Sequence, residues 1–293
     1  MEQLLKKLGK GKADPASRQQ AQTVRSSVKG FAKQRTVSSC VKHAEAALDE
    51  ARHWFSRNPA TVCASPTRML EGNLMKPIDP TQLRGLSAAI LSDVMDSLGL
   101  TRRAMKPFVR PLDDELVLVG RARTGLYMSA FSLRDGENPY EVEIALVDDL
   151  KPGDVVVLAC NGPTDRIAPW GELLSTASVA RKAAGCVTDG LVRDVKQIRA
   201  MKFPVFHGGI GPLDTKGRAR MVDRDVRVEC GGVSIDPGDI VFGDVDGVVV
   251  IPHSHEALVI EKASEKVTGE NNTRDALRKG EPLAAVFKRL GIL

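Results

Sequence analysis

The sequence predicts an α/β fold, and three observations carry that prediction. From about Ile78 onward, segments with helical spacing of apolar residues alternate with short apolar runs bounded by Gly, Pro and Asp turns. One of those runs, Val155 to Cys160, is apolar without interruption, as expected of a strand inside a sheet covered on both faces. Val, Ala and Gly are plentiful while aromatic residues make up only 4% of the chain, a balance that suits strands and close-packed turns better than an aromatic-lined nucleic-acid surface. A hydrophobic content of 42% over 293 residues is enough for a sizeable core, in one large domain or two.

The basic character of the chain sits at its beginning. Residues 1–77 hold 14 Lys/Arg against 6 Asp/Glu, a net of +8, which leaves residues 78–293 at −3 within the total of +5. This first segment, with a helix expected from about Val37 to Phe55 and a tail through Pro59, Pro66 and Pro77, reads as a partly disordered or helical extension to a domain at 78–293. A targeting presequence, a tether for nucleic acid or an acidic partner, a poorly ordered extension, and a start codon ahead of a true start at Met69 or Met75 all fit its composition. Cys40, Cys63, Cys160, Cys186 and Cys230 are odd in number, scattered and without a CxxC pair, so neither a disulfide framework nor a zinc knuckle is expected. No run approaches the roughly 18 apolar residues that cross a bilayer, and the chain is expected in the cytoplasm.

Within the domain, Leu83, Leu86, Ile90, Val94 and Leu98 recur at helical spacing with Gly99 as a stop, and Asp93 and Asp96 on that segment are expected in solvent. Leu116–Met128 reads as strand, glycine break, strand; Tyr140–Leu150 reads as a helix closed by the turn Lys151-Pro152-Gly153-Asp154. After Val155–Cys160, a loop through Pro169 and Trp170 places Gly171 between a strand end and a helix start, where open α/β folds bind ligands. Leu173–Ala184 is helical by spacing, Gly185–Thr188 is a short strand, and Val192–Met201 is a further helix with Arg193 and Asp194 near its first turn.

Pro204–Phe206 leads into the glycine-rich His207–Pro212, which lacks both GxGxxG and a GK[ST] ending, so close backbone packing is expected there and a structural role for His207. Val226–Glu229, Val233–Ile235, Ile240–Gly243 and Val248–Ile251 form a compact β unit, and turn chemistry accounts for Asp239, Asp244 and Asp246 between them. His253 and His255 lack a third metal ligand nearby. Glu256–Gly269 is an amphipathic helix, and 270–293 adds one more.

The chemistry concentrates between Gly171 and Asp194. A glycine at a helix start leaves backbone N–H groups and the positive end of the helix dipole available to a carboxylate, which makes Gly171, Glu172, Leu173 and Leu174 a candidate anion seat. Farther along, Arg193 offers a guanidinium that grips a carboxylate through two N–H bonds, beside Asp194, which can hold a divalent cation. The competing structural reading is that Asp194 caps its own helix and Arg193 makes a surface ion pair.

Four segments, LSDVMDSLG, LKPGDVVVLAC, the stretch from GELL to VRD, and PGDIVFGDVDGVVVIP, resemble in order and spacing the RraA-like family. That family includes the 4-hydroxy-4-methyl-2-oxoglutarate/4-carboxy-4-hydroxy-2-oxoadipate aldolases and the ribonuclease E regulator RraA, and the resemblance covers about residues 80–270. It implies an α-β-β-α sandwich and homotrimers or hexamers with active sites between subunits. It further implies a divalent-metal-dependent class II aldolase that releases pyruvate from a 4-hydroxy-2-oxo acid, with oxaloacetate decarboxylase activity. On that resemblance Gly171–Leu174 seats the substrate, Arg193 binds the pyruvyl carboxylate and keto oxygen, Glu172 relays a proton through water, and Asp194 holds Mg²⁺ or Mn²⁺. Glu172 stands where Asp is usual, and Gln197 stands where decarboxylase-type members carry Glu or Asp. The alternative implied by the same family is a non-catalytic regulator of an RNA-processing enzyme. Direct nucleic-acid recognition is not expected, because no aromatic RNA-binding motif is present.

Overall fold

The computed structural model describes residues 83, 85–133, 135–162 and 164–292. The expectations for residues 1–77, the Val37–Phe55 helix among them, lie outside these. In chain order the regular elements are α1 (Ala88–Ser97), β1 (Arg110–Pro111), β2 (Leu118–Ser129), α2 (Glu141–Asp148), β3 (Asp154–Ala159), α3 (Glu172–Ala180), β4 (Gly185–Thr188), β5 (Leu191–Val192) and α4 (Val195–Met201). There follow β6 (Val205–His207), β7 (Gly209–Ile210), β8 (Ala219–Arg224), β9 (Val228–Cys230), β10 (Val233–Ile235), β11 (Ile240–Asp244), β12 (Gly247–Ile251), a 3₁₀ turn (His253–His255), α5 (Glu256–Arg278) and α6 (Leu283–Leu290).

The main sheet runs β1-β6-β4-β3-β2-β11-β12, with β8 also paired to β2. Strands β2, β3, β4 and β6 are mutually parallel, while β1, β11 and β12 are antiparallel to their neighbours. The sheet curls until its two edges approach: the Arg110 guanidinium donates to the carbonyls of Val245 and Asp246, in the turn between β11 and β12, at 3.4 and 3.2 Å.

Period-two alternation divides the side chains of this curled sheet between an interior and two outer faces. On β3, Val155, Val157 and Ala159 point inward with Val187, Phe206, Val241, Val248 and Val250, where the β9–β10 hairpin supplies Val228, Cys230, Val233 and Ile235. Val156 and Leu158 point outward onto Leu146 and Val147 of α2 and Ile198 of α4. On the other side, Val119, Ile240, Phe242, Val249 and Ile251 meet Leu91, Val94 and Met95 of α1 and Val259 and Ala263 of α5. Helix, sheet, sheet, helix is therefore the layer order, and the doubly buried β3 is the uninterrupted apolar run of the sequence.

Several boundaries differ from the sequence reading. Strand β2 is continuous through Gly120, because that glycine serves close approach: a Cβ there would lie 2.1 Å from the carbonyl oxygen of Gly153. The four β segments do not form one unit, since β11 and β12 join the main sheet and only β9–β10 stands apart. The polar alternation of β8, buried on one face only, is not read as a strand from sequence. Helix α3 stops at Ala180, where Lys182 turns to φ +60° and the Ala183 amide bonds back to the Ser178 carbonyl. Helix α5 runs past Gly269 to Arg278, with Glu270 near Lys266 and Arg274 at 3.9 and 3.7 Å, each four residues away. The acidic residues between late strands do serve turns and caps. Asp244 accepts from the Asp246 amide and from the Ala88 amide at the start of α1, and Asp239 accepts from the amides of Asp236 and His253. Asp93 is exposed and pairs with Lys266.

Candidate active site

The loops after the parallel strands β2, β3, β4 and β6 gather at one end of the sheet. A buried carboxylate fixes them. Asp189, just past β4, accepts from the amides of Cys160 at 2.6 Å, Gly162 at 3.0 Å and Gly231 at 3.4 Å. Burial pushes its pKa up, against the pull of those amides.

The residues expected to form a helical first turn at Val192 instead extend. Leu191–Val192 is strand β5, pairing in parallel with β7, and Val192 also bridges to Trp170. The Arg193 amide donates to the Trp170 carbonyl at 3.0 Å, and the Gly211 amide donates to the Val192 carbonyl at 3.1 Å. Arg193 is thus delivered between the loop that precedes α3 and the glycine-rich loop after β6. Asp194 then turns sharply, with φ 59° and ψ 33°, a left-handed conformation that Asp tolerates better than most residues. Its side chain does not cap α4. It reaches back to α3, where its Oδ2 accepts from the Glu172 amide at 3.2 Å and lies 3.7 Å from Arg193 Nε.

This corrects the capping half of the competing reading, whereas its ion-pair half holds, since Arg193 does pair with carboxylates, and it refines the anion seat. The Glu172 amide is already given to the protein's own carboxylate, while the Leu173 and Leu174 amides have no acceptor among the described residues. Gly171 is required by space: a Cβ there would fall 2.7 Å from Asp194 Oδ2 and 3.3 Å from Arg193 Nε. The Glu172 side chain is oriented by the Thr176 hydroxyl, which donates to Oε1 at 2.8 Å. The Leu173 side chain is exposed, Leu174 packs partly against the outer core, and Gln197 is exposed on α4.

Arg193 and Asp194 open onto one cavity of about 570 Å³, walled by Val195, Ile210, Gly211 and Pro212. The Gly171–Leu174 turn adjoins it through Asp194. On the far side of the guanidinium, Arg193 Nη1 lies 3.6 Å from Asp214 Oδ1. Both flanking carboxylates stand beyond hydrogen-bond distance, so the guanidinium N–H groups make no hydrogen bond among the described residues.

Four residues here were not singled out from sequence. Asp214 Oδ2 accepts from the Tyr140 hydroxyl at 2.6 Å, and the chain's other tyrosine, Tyr127, donates to Oε2 of Glu143. Burial pushes the Glu143 pKa up to about 7, the Tyr127 hydrogen bond opposes this, Asp214 raises it and Arg193 lowers it. Burial also raises Asp214, but Tyr140, the Thr215 amide and Arg193 outweigh it and hold the carboxyl below its usual range. A signal was present: in a chain poor in aromatics the only two tyrosines stand 13 residues apart, one within β2 and one just ahead of α2.

Among the described residues no group of three or more His, Cys, Asp or Glu side chains is arranged to hold a metal ion. Asp194 offers a single exposed carboxylate, which fits Mg²⁺ kept largely by water and substrate oxygens but not a cation caged by protein. His253 Nδ1 lies 3.1 Å from the same Glu256 oxygen that Arg121 reaches at 2.9 Å, and it is part of no metal-holding group among the described residues. His207 is buried, desolvation lowers its pKa, and its Nδ1 has no hydrogen-bond partner among the described residues. No helix among the described residues is long and apolar enough to cross a membrane.

The fold is that of an RraA-like domain, a curled sheet covered by helices on both sides, with the arginine–aspartate step just after β5. Residues 88–250 match the RraA-like family, Aldolase/RraA. The chain belongs to that family. It is 34% identical over 186 residues to a Halalkalibacterium halodurans protein provisionally named 4-hydroxy-4-methyl-2-oxoglutarate aldolase, spanning 64% of this chain and 82% of that one. The structure of Streptomyces coelicolor RraAS2, described as an unusual member of the RNase ES inhibitor RraA protein family, matches with a TM-score of 0.61 and 28% identity over 67% of this chain and 96% of the other. A Pseudomonas syringae protein structure matches with a TM-score of 0.62 and 26% identity over 72% of this chain and 99% of the other.

Proposed function

We propose that this chain is a divalent-metal-dependent lyase of the class II pyruvate aldolase type. Its substrate would be 4-hydroxy-4-methyl-2-oxoglutarate or a related 4-hydroxy-2-oxo acid, and it would also decarboxylate oxaloacetate. The observation that carries the proposal is the Arg193 guanidinium, whose donors are unspent while it faces an open cavity beside an exposed carboxylate. A planar guanidinium with free N–H groups is suited to the carboxylate and 2-oxo oxygen of a pyruvyl unit, which it grips through two bonds.

Retro-aldol cleavage removes the proton of the 4-hydroxyl, forms the C4 carbonyl as the C3–C4 bond breaks so that the C4 fragment leaves as a second oxo compound, and leaves the electron pair as an enolate on the 2-oxo carbon unit, which is then protonated at C3 to give pyruvate. Arg193 neutralises the negative charge that grows on the 2-oxo oxygen. Glu172, oriented by Thr176, takes and returns the proton through water. Loss of carbon dioxide from oxaloacetate leaves the same enolate, so the same groups serve both reactions.

Asp194 would hold Mg²⁺ or Mn²⁺, which supplies Lewis-acid polarisation of the 2-oxo group when bound. The charge balance supports this: one arginine is flanked by Asp194 and Asp214, with Glu172 adjacent, so an anionic substrate needs a further positive charge. Residues from a neighbouring subunit of a homotrimer or hexamer would complete the site and choose the substrate.

Pyruvate release, followed by coupled NADH oxidation with added Mg²⁺, tests the reading. Wild type should turn over, chelation should abolish it, and Arg193→Ala and Asp194→Ala should each lose at least about 100-fold. The similarity to the Streptomyces RraA favours one other reading, a non-catalytic regulator of an RNA-processing enzyme. Silence across 4-hydroxy-2-oxo acids and oxaloacetate, with inhibition of an RNase E-type nuclease, would establish it instead.

A further inference from the structure

We propose that Asp214, itself held by Tyr140, is the positioning residue that aims the Arg193 guanidinium into the cavity. The inference rests on the lyase reading for its kinetic consequences, but its structural part stands alone.

The guanidinium lies between two carboxylates, and each is oriented before it meets the arginine. Asp194 Oδ2 is tied to the Glu172 amide at 3.2 Å. Asp214 is tied at both oxygens: Oδ1 accepts from the Thr215 amide at 2.7 Å and Oδ2 from the Tyr140 hydroxyl at 2.6 Å. A carboxylate with both oxygens occupied cannot rotate freely, so the remaining capacity of Oδ1 faces Arg193 Nη1, 3.6 Å away. At that distance the pair attracts without consuming an N–H, so the arginine is steered yet keeps its donors for a ligand.

The supports come from separate elements. Tyr140 precedes α2, Asp214 follows the glycine-rich loop, and Arg193 directly follows β5. Behind them Tyr127 of β2 holds Glu143 of α2, a buried carboxyl that feels the charge of Arg193 without touching it. The Tyr140 hydroxyl remains a donor throughout the neutral range, because burial and Asp214 push its pKa up to about 12. A flexible four-torsion side chain more than a third exposed would otherwise sample many positions.

The test uses the full-length protein with Asp214→Asn and Tyr140→Phe, each made alone and in an Arg193→Lys background. If Asp214 acts through the arginine, Asp214→Asn lowers kcat/KM for pyruvate release by about 100-fold and Tyr140→Phe by about 10-fold. In the Arg193→Lys background the same changes shrink to less than about 3-fold, because the group being aimed has gone. Undiminished effects in that background, or wild-type kinetics in Asp214→Asn, would overturn the proposal. A second measurement needs no turnover: the Arg193 Nε–H resonance of ¹⁵N-labelled protein, assigned through Arg193→Lys, should move and broaden in Asp214→Asn. An unchanged resonance refutes positioning. A wild type that releases no pyruvate refutes the lyase reading, and the resonance still decides the role of Asp214.

Discussion

Glu143→Gln should make the protein more stable at mildly alkaline pH and leave it nearly unchanged in acid. Glu143 is 8% exposed, Tyr127 donates to it, and burial raises its pKa from an ordinary value near 4.5 to about 7. A carboxyl whose folded pKa is raised binds its proton more tightly in the native state than in the unfolded chain. Its favourable contribution is therefore complete below about pH 4.5 and is lost as pH rises through about 7. At 1.36 kcal/mol per pH unit, that interval amounts to about 3 kcal/mol by pH 8. Glutamine keeps the shape and an acceptor for Tyr127 but has no charge to bury. Urea unfolding at fixed protein concentration should show the two proteins within about 1 kcal/mol at pH 4.5 and the variant ahead by about 2–3 kcal/mol at pH 8. Stability curves that run parallel across this range, or a wild type that is the more stable at pH 8, would refute the claim that this carboxyl is desolvated.

Gly171→Ala would push a methyl group to within 2.7 Å of Asp194 Oδ2, and the exposed carboxylate gives way more readily than the backbone. We expect loss of about 100-fold in pyruvate release with less than about 1.5 kcal/mol of destabilisation, separated by assaying activity and urea midpoint on the same preparation. Asp244→Ala removes the acceptor for the first amide of α1 and for the Asp246 amide, and should lower the urea midpoint by an amount worth about 1–2 kcal/mol with the slope unchanged. Cys160, Cys186 and Cys230 are free and buried, and burial pushes all three thiols up. They should resist iodoacetamide in the native protein and react once it is denatured, as read by peptide mass spectrometry.

Sequence periodicity was a good guide wherever burial was two-sided or one face was clearly apolar. The uninterrupted apolar run of β3 and the helical spacing of α1 translate directly into the layered core. It failed where tertiary contacts set the backbone. Val192 looks like the start of a helix until pairing with Trp170 and β7 draws it into a strand, and that pairing brings Arg193 to the cavity. The juxtaposition of Gly171, Arg193 and Asp194 was legible because a glycine at a helix start and an arginine–aspartate step after the following strands fall at the same end of the sheet. Asp214, Tyr140 and Glu143 were not, because Asp214 lies 74 residues from its tyrosine and a hydrogen bond across that span leaves no local trace. The exposed carboxylate of Asp194 also shows how a short-range argument misleads: a residue at a helix start served as a tie to a different helix.

Asp189 has a consequence for how this domain tolerates change. By gathering amides from the end of β3, the loop beyond it and the β9–β10 hairpin, one carboxylate sets the level from which those loops depart. The segment from Thr164 to Arg166 lies between that tie and the second anchor, where the Leu191 amide meets the Ile167 carbonyl. Length and composition between two such anchors are free to drift while Gly171 and Arg193 keep their spacing. A lineage could therefore remodel that loop without rebuilding the floor beneath it.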